Sequence, residues 1–93
     1  MTASQRTMME HRTSLAPDEV LARARTFFSQ RNPLYAAFIE KDEPGYVTFR
    51  GQGGEEIVIA ATATEGATRV TGSSYLFDMQ VARFFSILPP VQT

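Results

Sequence analysis

The sequence predicts a single α+β domain in the order helix, four-stranded antiparallel meander sheet, helix, with both helices packed on one face of the sheet. Three observations carry this. Apolar residues recur at helical spacing near both ends, in 17–31 and in 76–88. Between them lie four β-rich runs separated by short turns that contain glycine or proline. A chain of 93 residues, 43% of them hydrophobic, is long enough for one core and too short for two.

Residues 1–14 are polar and show no periodicity, so a disordered N-terminal tail is expected there, followed by a single α-β-β-β-β-α domain over 15–93. Pro17 opens the first helix, at the one helical position where a missing N–H costs nothing. Asp18 and Glu19 sit well at the positive end of its dipole. Val20, Leu21, Ala24, Phe27 and Phe28 form one apolar stripe, and Asn32-Pro33 stops the helix. Strands are predicted over 34–41, 46–50, 55–64 and 67–75. The turns between them are Asp42-Glu43-Pro44-Gly45, the Gly51-Gln52-Gly53-Gly54 loop and Glu65-Gly66. Such short connections favour neighbours in sequence pairing in space.

The second helix is expected from about Leu76 to Leu88, with Ser73 and Ser74 as candidate caps and Asp78 in the first turn. Phe77, Val81, Phe84, Phe85 and Leu88 mark its apolar stripe, with Phe85 nearest the centre, and Pro89-Pro90 ends it. This element order resembles the helix-grip and TATA-binding-like folds without their full set of strands. The likeness is one of topology alone and implies no function.

Composition excludes several chemistries. The chain has no cysteine, which removes disulfides, thiolate nucleophiles and cysteine-ligated zinc. Its single histidine, His11, falls in the expected tail and reads as a solvated bystander, so no histidine-based triad is expected. The formal net charge of -1 lacks the basic excess of a general nucleic-acid binder. No apolar run reaches the ~18 residues that span a bilayer, and the first residues lack a signal-peptide core, so the expectation is a cytoplasmic protein with no membrane partner.

Four candidate sites remain. The turns at 42–45 and 65–66 would fall at one end of a meander, bringing Glu40, Asp42 and Glu43 toward Glu65. Turn carboxylates are ordinarily solvated, and no metal or other cofactor is expected. At the opposite end the 51–54 loop and the start of the second helix would gather Arg31, Arg50, Ser73 and Ser74, a candidate anion site of helix N–H groups, hydroxyls and guanidinia. Phe27, Phe28, Phe77, Phe84 and Phe85 could line a small-molecule pocket between helices and sheet, although their helical spacing and the small size of the domain favour plain core. Tyr46, Arg50, Arg69 and Tyr75 could stack with and pair to single-stranded nucleic acid, against the acidic balance.

The runs 34–39 and 57–61 are apolar on both strand faces. A sheet with helices on one side and water on the other should alternate. The helices can cover one set only, which leaves Tyr35, Ala37, Ile39, Val58 and Ala60 as candidate interface residues. The expected function is therefore a non-enzymatic protein–protein interaction domain, acting as a homodimer or as a small subunit with an unidentified protein partner. Pairing through an open sheet edge is the alternative to pairing face to face.

Overall fold

The computed structural model describes residues 7–29, 38–51, 56–75 and 78–91. These form two helices on a five-stranded antiparallel sheet, in the order β1 (Thr7–Thr13), α1 (Pro17–Ser29), β2 (Phe38–Glu43), β3 (Tyr46–Arg50), β4 (Glu56–Thr64), β5 (Ala67–Tyr75) and α2 (Asp78–Ser86). The order across the sheet is β1-β5-β4-β3-β2. The last four strands follow the expected meander.

The fifth strand corrects the expectation of a disordered tail over 1–14. Residues 7–13 pair without interruption with β5, from Thr7 opposite Ser74 to Thr13 opposite Thr68. The physical reason is that β5, nine residues long, would otherwise carry a row of unpaired N–H and C=O groups down its outer side. Thr13 anchors the end of β1: its hydroxyl donates to the Pro89 carbonyl and accepts the Leu15 N–H at 3.3 Å. Residues 1–6 lie outside the described residues, as do 34–37 of the first predicted strand.

Helix α1 begins at Pro17 as expected. The Ala16 carbonyl accepts from Glu19 N and Val20 N, and the Glu19 carboxylate accepts the Ala16 N–H at 3.4 Å, which fixes the first turn. Val20, Leu21, Ala24 and Phe28 are buried, while Phe27 packs at the margin of the core. From α2, Val81, Phe84 and Phe85 are buried, joined by Leu88 just beyond the helix. Both stripes meet the same sheet face, made of Val47, Phe49, Ile57, Ile59, Ala61 and Val70. Helix α1 lies over β2, β3 and β4 with a smaller contact on β5, and α2 lies over β5 and β1. Each of these buried large side chains contributes about 1.5–3 kcal/mol by leaving water.

Helix α2 is rotated slightly from the expected orientation. Phe84 is 0% exposed and Phe85 7%, so Phe84 holds the more central place. Phe84 meets Phe27 and Phe28 of α1, at ring-centroid distances of 5.6 and 5.3 Å. Phe84 is thus turned toward α1, a neighbour that single-helix periodicity cannot register.

Gly72 sets how closely α2 approaches the sheet. A Cβ at that position would lie 2.6 Å from Val81 Cγ1 and 3.2 Å from Phe85 Cζ. Gly66 closes the β4–β5 hairpin with φ of +76°, a conformation that favours glycine.

Candidate functional site

Cross-strand partners share a face, so the strand registers sort the described sheet side chains to the helix side or to the opposite side, here termed bare because neither helix packs on it. One row across the bare face is Lys41, Thr48, Val58, Ser73 and Met8. The next is Glu43, Tyr46, Ala60, Thr71 and Glu10. Two Arg–carboxylate systems flank these rows. Arg50 binds both oxygens of Glu40 at 3.1 and 3.2 Å and reaches Glu56 at 3.3 Å. Arg69 binds both oxygens of Glu10 at 3.1 and 3.2 Å.

The electrostatics follow from these contacts. The hydrogen bond from Arg69, then its charge, holds the Glu10 carboxyl below its ordinary range. Arg50 and Arg69 are each pushed up by the hydrogen bond and then the charge of their main carboxylate partner. Exposed pairs of this kind add little stability, but they occupy the guanidinia.

The arrangement separates the candidate anion-site residues. The pleat sends the consecutive serines to opposite faces: Ser73 pairs with Val58 on the bare side, Ser74 with Ile57 on the helix side. Ser74 is buried and donates to the Asp78 carboxylate at 2.6 Å, tying β5 to the start of α2. Arg50 lies on the bare face, held by its two carboxylates, so the sheet stands between it and Ser74. Arg31 and residues 52–55 lie outside the described residues.

The turn carboxylates also part. Asp42 faces the helices, where Arg25 of α1 binds both of its oxygens at 2.9 Å, whereas Glu40 lies on the bare side with Arg50. Strand β4 runs on past β3, which ends with the Ala61 N–H donating to the Gly45 carbonyl. Glu65, four residues further along, projects about 13 Å beyond that end. Among the described residues no three carboxylate or imidazole groups converge as a metal site would need.

The phenylalanines pack on one another. Phe28 meets Phe27, Phe49 and Phe84 at centroid distances of 5.0, 5.1 and 5.3 Å, and Phe84 meets Phe85 at 6.2 Å. Contacts of this length fill the space between the rings. Phe77 lies outside the described residues. Tyr46, Arg50 and Arg69 do share the bare face, and Tyr75 pairs with Glu56 in the ladder. Both arginines, however, are engaged by carboxylates.

Of the candidate interface residues, Val58 and Ala60 lie half-buried on the bare face. Ile39 does not join them. It pairs with Phe49 on the helix side, and the ladder shifts between Ile39 and Lys41, so a bulge resets the alternation beyond it. Tyr35 and Ala37 lie outside the described residues. Between Val58 and Tyr46 the bare face holds Thr48, 8% exposed, whose hydroxyl has no hydrogen-bond partner among the described residues.

Two features of β1 are illegible while residues 7–13 are read as tail. His11 faces the helices and stacks on Phe85, with ring centroids 5.4 Å apart and planes 21° from parallel. Its Nε2 is buried with no partner among the described residues. The only sequence signal for this strand is a weak alternation, Met9, His11 and Thr13 against Met8, Glu10 and Arg12.

The two sheet edges differ. Strand β2 presents Glu40, Lys41, Asp42 and Glu43 and carries the bulge, all devices that discourage further pairing. Strand β1 has no proline, no glycine and no register shift over its seven residues, and it shows Met8 71% exposed. Comparison with protein-family models, curated proteins and solved structures finds no match. No helix among the described residues is long and apolar enough to cross a membrane.

Proposed function

We propose that this chain is a non-enzymatic protein–protein interaction domain that works as a homodimer joined through its sheet. The observation that carries the reading is the asymmetry of the sheet edges: β2 carries four consecutive charged residues and a bulge, and β1 is regular, with no further strand paired to it among the described residues. A regular edge strand is a template for another strand. Pairing with an identical chain satisfies it by symmetry alone. Met8, exposed beside that edge, and half-buried Val58 and Ala60 on the bare face supply apolar area next to the seam.

The side chains that gather on the bare face support binding rather than turnover. Arg50 and Arg69 there are each engaged in Arg–carboxylate pairs. Sedimentation equilibrium at micromolar to ~100 μM concentration, the range in which modest interfaces associate, tests the reading. The expected result is a concentration-dependent approach to twice the chain mass of 10.3 kDa. A chain mass that holds at every concentration would overturn it.

A further inference from the structure

The homodimer reading leaves open which residues meet, and the geometry of β1 narrows this to one register. Resting on that reading, we infer that a second copy adds antiparallel along β1 about a twofold axis at His11. Glu10 of each protomer then faces the partner's Arg12.

A twofold perpendicular to the sheet keeps the two bare faces on one side. Residues of one face must therefore meet residues of the same face. Met8, Glu10 and Arg12 point to the bare side, and Met9, His11 and Thr13 to the helix side. Centring the axis on Glu10 sets two carboxylates against each other, and centring it on Arg12 sets two guanidinia together. Like charges directly opposite destabilise a strand pair. Centring it on Met9 carries Arg12 past the paired residues. Among the described residues 7–13, only the His11 axis joins opposite charges, and it does so twice.

The charges are available for this. Arg12 is exposed and has no ion-pair partner among the described residues. Glu10, though bound by Arg69, retains accepting capacity on both oxygens, since each carboxylate oxygen accepts more than one bond. In the dimer each Glu10 is bracketed by its own Arg69 and the partner's Arg12.

The helix layer fits the same axis. Helix α2 straddles β5 and β1, with Phe85 reaching both Gly72 and His11. Strands lie ~4.8 Å apart, so α2 stands roughly 5 Å from an axis just outside β1. The two α2 helices then run about 10 Å apart, the ordinary distance for packed helices. The flank of α2 turned away from α1 carries Phe85 with the small, exposed residues Ala82 and Ser86, which allow that approach.

Single-cysteine variants test the register directly, because the chain has no other cysteine. Directly opposed Cα atoms lie about 4.5–5.5 Å apart, within disulfide range. Self-pairs of residues one position off the axis are offset by two positions along the strand and lie about 8 Å apart, outside it. With folding checked by circular dichroism, H11C is expected to form a covalent dimer under mild oxidation, and E10C and R12C are not. A dimer that crosslinks through E10C or R12C overturns the register. A dimer by mass that crosslinks through none of the three overturns edge pairing and leaves the homodimer reading standing, whereas a monomer overturns both. R12E serves independently of H11C. It opposes two carboxylates at each pair, and is expected to weaken dimerisation at least about tenfold, whereas R12Q, which likewise removes the Arg12 charge acting on Glu10 within the chain, weakens it less. Unchanged dissociation of R12E would overturn the Glu10–Arg12 pairing.

Discussion

Replacing Gly72 by alanine is a sharp test of how α2 is seated. The added Cβ would stand 2.6 Å from Val81 Cγ1 and 3.2 Å from Phe85 Cζ, with Ile59 Cδ1 at 3.5 Å. Real carbon contacts do not close to 2.6 Å, so something must move. Val81 is β-branched and helical, which leaves its χ1 little freedom. The helix must then lift or rotate, against a core in which Val81 is 0% exposed. Overpacking of this kind costs typically 1–3 kcal/mol. The gain from removing a strand glycine offsets roughly 0.5–1 kcal/mol. The net expectation for G72A is a loss of about 1–2 kcal/mol, or roughly 5–15 °C in thermal midpoint for a domain of this size. Urea unfolding should show the same loss as a lower midpoint concentration at unchanged slope. If the clash is the cause, G72A and V81A are coupled, and the double variant is more stable than the sum of the singles by about 1 kcal/mol. A neutral or stabilising G72A, or simple additivity with V81A, would refute this seating of the helix.

Other variants probe the remaining joints. Deleting residues 1–13 removes β1 and bares the β5 edge, and is expected to lower the thermal midpoint by more than about 10 °C; an unchanged midpoint would restore the expectation of a dispensable tail. F84A is expected to cost about 3–5 kcal/mol and at least as much as F85A, because Phe84 has the more central place, so a larger loss for F85A in chemical unfolding would contradict the rotation described. Glu10 is held below its ordinary range by Arg69, so its pairing adds stability at neutral pH that is lost as pH falls through its lowered folded value. The difference between the parent chain and E10Q should therefore shrink on acidification, and a constant difference across that range would argue against the pair in solution.

Sequence pattern carries far where it is strong. Tyr46–Arg50 and Ala67–Tyr75 are legible to the residue, because turn signals bound them closely and one face alternates with the other. Helix α1 is legible from Pro17 and its apolar stripe. Strand β1 is not, because its membership depends on β5 needing a partner, a tertiary demand that Thr7–Thr13 scarcely announces in its own composition. The misplacement of His11 follows from this, as does the separation of Ser73 from Ser74, which depends on the pleat and not on proximity in sequence. Ile39 reverses face because a bulge shifts its ladder, and no local residue pattern marks that bulge.

Amide exchange along β1, followed by NMR over a dilution series, separates edge pairing from any other mode of self-association. In an antiparallel edge pair alternate N–H groups of residues 7–13 point to β5 and the others to the second copy. Edge dimerisation predicts that the outward set is protected at high concentration and loses protection on dilution, while the inward set stays protected throughout. Outward amides that exchange freely at every concentration would contradict the account, even if the chain proved dimeric by mass.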